Sequence, residues 1–154
     1  MSKNAPTLDH IKMACRHVIE MMDAGMTENV AIRQLELLTD MYGKYRVVGH
    51  VNPHHADQYE LWSKAARKAK AANPKGKYGL YLRVEHGTPR RHFAREVLAA
   101  FKKKKLTKGW MDRHCQRNWK IAVITHEEDL RLNKLKRETF SSPDERWAEA
   151  RIKF

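Results

Sequence analysis

Only two short stretches of this chain leave helical spacing for clear strand spacing, and a long basic segment separates them. From Tyr78 to Val84, the apolar Leu80, Leu82 and Val84 alternate with Tyr81 and Arg83, the period of a strand with one buried face. The run "WKIAVIT", residues 119–125, is a second short apolar strand. Most of the remainder is helical in period, so the expected class is α+β, mostly helical, with a helical insertion between the two strands.

The helical stretches are marked by their stripes and caps. Leu8, Ile11, Ala14, Cys15, Val18, Ile19 and Met22 recur at three and four, predicting an amphipathic helix over 8–23 that stops near Gly25. Thr27 caps a second helix with the stripe Ala31, Leu35, Leu38, Met41 and Tyr42, which completes an N-terminal helical hairpin. The run "YRVVGHVNPHHADQ" breaks the helical period, with Gly49 and Pro53 marking a loop or short strand-turn, and His50, His54 and His55 make it histidine-rich without a third ligand type nearby. Asp57 and Glu60 have capping-box spacing for a third helix through Tyr59, Trp62, Ala65, Ala66 and Ala69, ended by Asn73-Pro74. Thr88 and Pro89 start the next, whose buried face is Phe93, Val97, Leu98 and Phe101. A short helix over 108–118 follows, then one beginning at His126 behind the capping box Thr125/Glu128, and a last one behind Ser142-Pro143. The expected division is a helical accessory region at 1–76, a core at 77–140 and a short C-terminal helix at 141–154.

Charge divides the chain unevenly. Residues 1–60 carry 6 Lys and Arg against 8 Asp and Glu, whereas residues 61–154 carry 25 against 10, for an overall net charge of +13. A field of that sign favours a polyanion through counterion release, and nucleic acid, DNA first, is the expected partner. Arg90, Arg91, Arg95, Lys102, Lys103, Lys104, Lys105, Lys108, Arg113 and Arg117 are the candidate phosphate-binding residues; for any one of them alone a solvated helix face is the plainer explanation. The N-terminal hairpin is too acidic for that task, and packing or homodimer formation is its expected role. No apolar run approaches the roughly 20 residues of a membrane span. Cys15 and Cys115 form no disulfide framework, so reduced thiols in a cytoplasmic protein are expected.

One constellation carries chemistry. Glu85 and His86 stand at the end of the first strand, and Asp129 and Asn133, four apart on the helix after the second strand, share a helix face. If that helix packs across the strands, an imidazole and several oxygen donors meet. Considered alone, a Glu-His pair at a strand end is ordinary, and Asn133 is an ordinary solvated helix residue.

In this order the residues resemble the ββα-metal, or His-Me finger, nucleases, which include the HNH endonucleases. The resemblance covers residues 78–137 and rests on Glu85-His86, on Pro89 shortly after, and on "THEEDLRLN", where Asn133 matches the closing ligand and Asp129 stands where a histidine is common. It implies a ββα-metal-like core and a metal-dependent endonuclease hydrolysing phosphodiester bonds in DNA. His86 would be the general base, with Glu85, Asn133 and Asp129 holding Mg²⁺ or another divalent cation. The alternative is a non-catalytic basic nucleic-acid-binding protein on a degenerate scaffold of the same kind.

Overall fold

The computed structural model describes residues 5–49, 59–76, 78–136 and 139–154. It is a mixed, mostly helical α+β protein with one two-stranded antiparallel sheet among the described residues. The chain divides into two compact units, each assembled from two separate stretches: Met1–Pro53 with Pro89–Trp119, and His54–Thr88 with Lys120–Phe154.

The first unit is helical. Its α1 (Leu8–Asp23) is capped by Thr7 and buries Ile11, Ala14, Cys15 and Val18, the stripe read from the sequence. A single turn, α2 (Glu28–Ala31), leads into α3 (Arg33–Val48), so the second helix of the hairpin is interrupted at Ile32. It also runs beyond Tyr45, where its period was expected to fail; Gly49, at φ 76°, stops it in a left-handed conformation that glycine adopts without a Cβ penalty. After the first strand the chain returns to this unit as two further helices. Trp119 covers α3 so closely that a Cβ on Gly43 would meet its indole at 2.6 Å. Residues 50–58, with His50, His54, His55 and Asp57, lie outside the described set.

The second unit is built on the sheet. Its α4 (Lys64–Ala72) is capped by Ser63, not by Asp57. Tyr59 and Trp62, expected on that helix, precede it; both are buried, and Trp62 forms an isolated parallel bridge with Val123. A helical turn, α5 (Tyr78–Tyr81), takes the place of the expected start of the strand, and β1 covers Leu82–His86. In the first unit α6 (Arg90–Lys102) has Pro89 as its N-cap and α7 (Lys108–Asn118) is capped by Thr107. Back in the second unit, β2 (Ile121–Thr125) pairs antiparallel with β1 from Leu82↔Thr125 to His86↔Ile121. Its residues Ile121, Ala122, Val123 and Ile124 are all buried. Then come α8 (His126–Leu132) and α9 (Pro143–Glu149), and Ala122, Ile124, Leu132, Trp147, Ala150 and Ile152 form one core cluster.

The compact units therefore differ from the linear division into 1–76, 77–140 and 141–154. The basic insertion joins the N-terminal helices, whereas α4 and α9 join the sheet. Apolar burial explains this: Phe93, Ala94, Val97 and Leu98 of α6 and Met111 and Cys115 of α7 are buried in the helical unit, and Trp147 is needed by the sheet core.

Candidate functional site

The end of β1 separates its two polar residues. Side chains alternate across a strand, so Leu82, Val84 and His86 share one face of the sheet and Arg83, Glu85 and Gly87 follow the other. Glu85 reaches α9, where Arg146 Nη1 donates to its Oε1 at 2.8 Å, with both side chains buried. A Cβ on Gly87 would collide with Pro143 and Trp147, again on α9, which marks the same face independently. His86, half-buried, belongs with Val84 on the opposite side.

Arg146 does more than neutralise Glu85. Its Nη2 approaches the backbone carbonyl of Leu132, the last residue of α8, at 3.3 Å. One guanidinium thus bridges β1 and a helix-end carbonyl that also accepts from the Leu135 backbone N–H at 3.0 Å. The end of β1 and the end of α8 do converge, and an arginine cation lies between them. Sequence reading missed Arg146 because a single arginine beside Trp147 has no periodic signature.

On α8 the "THEED" run is largely structural. Thr125 Oγ1 accepts from the Glu128 backbone at 3.1 Å, and Glu128 Oε2 accepts in return from the Thr125 backbone at 2.8 Å. Ser63 Oγ donates to the same Oε2 at 2.7 Å, so buried Glu128 ties the α4 cap to the α8 cap. The helix ends at Leu132; Asn133 is its exposed C-cap and turns its amide toward Asp129 Oδ2 at 3.4 Å.

The resemblance implies a divalent cation held by these side chains. Glu85 spends its buried charge on Arg146, Asp129 and Asn133 face each other, and His86 lies on the other side of the sheet from Glu85. As arranged they do not fit one shared ion. Among the described residues no group of three or more His, Cys, Asp and Glu is arranged to hold a metal.

The candidate phosphate-binding residues separate into two sets. Arg91 Nε reaches Glu36 at 2.5 Å and Arg95 Nε reaches Glu28 at 2.6 Å, while Arg90 lies 3.8 Å from buried Asp40, which also holds Lys44 at 2.7 Å. Cations at the start of α6 oppose the positive end of the helix, and the acids of α2 and α3 offset them. At the other end of α6, Lys102, Lys103, Lys104 and Lys105 are exposed with no acidic partner among the described residues, as are Arg113 and Arg117 on α7. Lys108 pairs with Asp112 at 3.1 Å. Asp112 also accepts from Tyr42 at 2.7 Å and faces Arg46 at 3.1 Å, so this single acid of the segment is already shared.

Behind this surface His114 is stacked between Phe93 and Trp110, with centroids at 4.6 and 4.5 Å. Its Nε2 lies 3.0 Å from Glu96 Oε2, an ion-pair distance without hydrogen-bond alignment. The His114 ring holds the Glu96 carboxyl below its ordinary value, against burial that pushes it up, and His92 adds to the lowering. Trp110 therefore packs on a histidine, and Trp119 is buried. Burial pushes the thiols of Cys15 and Cys115 up to about 12, and both are free. No helix among the described residues is long and apolar enough to cross a membrane.

No protein-family model, curated protein or solved structure matches this chain.

Proposed function

We propose that this chain binds nucleic acid, DNA in the first instance, through the surface formed by the C-terminal end of α6 and by α7, without metal-dependent cleavage. The observation that carries the reading is charge without compensation: residues 102–119 hold seven Lys and Arg against the one acid Asp112. Six of those seven cations are exposed and unpaired among the described residues. Surface cations in that state can take the place of the counterions condensed on a phosphate backbone without first breaking an ion pair of their own. Hydrolysis has no comparable support, because the carboxylate it would need, Glu85, is already neutralised by Arg146.

The test is fluorescence anisotropy of a labelled DNA duplex across a salt series. Replacing Lys102, Lys103, Lys104 and Lys105 by alanine should weaken binding and flatten the salt dependence by about 0.9 in the log–log slope for each phosphate no longer neutralised. Unchanged affinity in that variant refutes the surface. Plasmid nicking that needs Mg²⁺ and disappears in His86→Ala would replace this reading with the endonuclease.

A further inference from the structure

Glu96 is the one acid of α6, and no Lys or Arg among the described residues pairs with it, although Arg91 and Arg95 on the same helix reach acids of α3 and α2. Two histidines take the place of a cation. His92, four residues earlier and so on the same helix face, brings Nε2 to 3.4 Å from Glu96 Oε1. His114 of α7 brings its Nε2 to 3.0 Å from Glu96 Oε2. Two imidazoles and a carboxylate thus gather within the helical unit, apart from every residue of the presumed nuclease constellation.

His114 is held as a metal ligand is held. Stacking between Phe93 and Trp110 fixes the plane of its ring, the residue is only 9% exposed, and the Asn118 amide lies 2.8 Å from Nδ1. With Oδ1 of that amide toward the ring, Nδ1 donates and the Nε2 lone pair faces Glu96; a metal-bound histidine is oriented through its other nitrogen in the same manner. Nε2 and Glu96 Oε2 are both buried, and neither has an aligned hydrogen bond. Two buried acceptors 3.0 Å apart repel each other unless a cation satisfies both.

We infer that His92, Glu96 and His114 bind one Zn²⁺ ion, with water as the fourth ligand. Bonds of about 2.0–2.2 Å place neighbouring ligand atoms roughly 3–3.6 Å apart, and the separations from Glu96 to the two ring nitrogens, 3.0 and 3.4 Å, fall in that range. As they stand the three donors do not surround a common point. The exposed ligand closes the set: the His92 side chain is 62% exposed, so its ring can turn inward without disturbing the core, while His114 and Glu96 are already opposed. Imidazole donors select Zn²⁺ over Mg²⁺, which prefers oxygen. The ion ties α6 to α7 and so stabilises the helical unit; it is independent of the nucleic-acid reading and assigns no cleavage.

The experiment is calorimetric titration of the full-length, EDTA-treated protein with Zn²⁺ and, in parallel, with Mg²⁺. One equivalent of Zn²⁺ should bind and raise the melting temperature, and Mg²⁺ should do neither. His92→Ala changes an exposed side chain and should fold, yet it should lose Zn²⁺ affinity by about 100-fold or more, since removing even a hydrogen-bond partner behind a ligand costs about 10–100-fold. Visible absorption of the Co²⁺ form supplies a second readout, expected in wild type and absent in His92→Ala. A variant with His50, His54 and His55 all replaced by alanine should bind Zn²⁺ as wild type does; if it does not, the ion belongs to that histidine-rich run and the inference falls. It falls equally if wild type binds no Zn²⁺ or if His92→Ala binds undiminished, which would leave His114 and Glu96 as a protonated ion pair. None of these outcomes touches the DNA titration, so the two readings fail separately.

Discussion

Positive charge is used in opposite ways at two places, one in each compact unit. In the sheet unit Arg146 is buried, joined to Glu85 and to a helix-end carbonyl, and its charge belongs to the core. In the helical unit Lys102, Lys103, Lys104, Lys105, Arg113 and Arg117 stand in solvent with no acidic partner among the described residues. Between these extremes, Arg91 and Arg95 are partly exposed and paired with acids of the N-terminal helices. Net charge treats all of these cations alike, but only the unpaired set can offer its full attraction to a polyanion. A basic composition therefore says how much positive charge a chain has, and the pairing says how much of it remains for a partner.

Arg146 is where this contrast can be broken with the largest effect. Glu85→Ala should lower unfolding stability by about 3–5 kcal/mol, because it strands a buried guanidinium, and chemical denaturation would register it as a lower midpoint. The joint replacement Glu85→Leu with Arg146→Met should recover most of that stability; failure to recover would mean that the bond from Arg146 to Leu132, not the ion pair, holds α8. Next in size is the quadruple lysine-to-alanine variant at 102–105, expected to lose DNA affinity steeply at low salt while its melting temperature stays close to wild type. A falling melting temperature would place those lysines with Arg146 as structural charges. Arg91→Ala should cost about 1 kcal/mol or less of stability, since that pair is partly solvated, and should leave the salt slope of binding unchanged.

The smallest effect concerns pH. The folded state holds the Glu96 carboxyl below its ordinary value of 4.5, so the unfolded chain binds this proton more readily. The stabilisation is complete above that ordinary value and is lost as pH falls through the lowered native one. Glu96→Gln should therefore lower stability modestly in the neutral region and leave it nearly unchanged at acid pH, which flattens the acid limb of a stability–pH curve.

Much of the local structure was legible in the sequence because local chemistry decides it. The α1 stripe, the Thr125/Glu128 box and the Ser142-Pro143 start all formed where cap and period indicated. The errors came where distant residues decide. Trp62 has helical spacing with Ala66 and Ala69, yet it is drawn to Val123, sixty-one positions away in sequence, and α4 cannot start until Ser63. For the candidate site the sequence conveyed the order of Glu85, His86, Asp129 and Asn133 and the meeting of the two chain ends. It could not convey which face of the sheet each residue takes, because the strand begins at Leu82 and the pleat assigns adjacent residues to opposite sides. Nor could it single out Arg146, whose partner is 61 residues distant.

The two strands of the sheet are joined in space but separated along the chain by an excursion into the other unit. Neither unit is thus a continuous piece of polypeptide, and no single truncation can deliver one of them whole. A fragment starting at residue 54 would carry α6 and α7 stripped of the helices they bury against, and one ending at residue 53 would leave α1 and α3 with an uncovered apolar side. Ribosomal synthesis meets the same condition, since β1 emerges well before β2 and closure of the sheet has to wait for the intervening helices. A protease that nicked the exposed lysine-rich link between α6 and α7 would cut the helical unit while separating the two halves of the sheet unit onto different fragments, so one cleavage would test the cohesion of both.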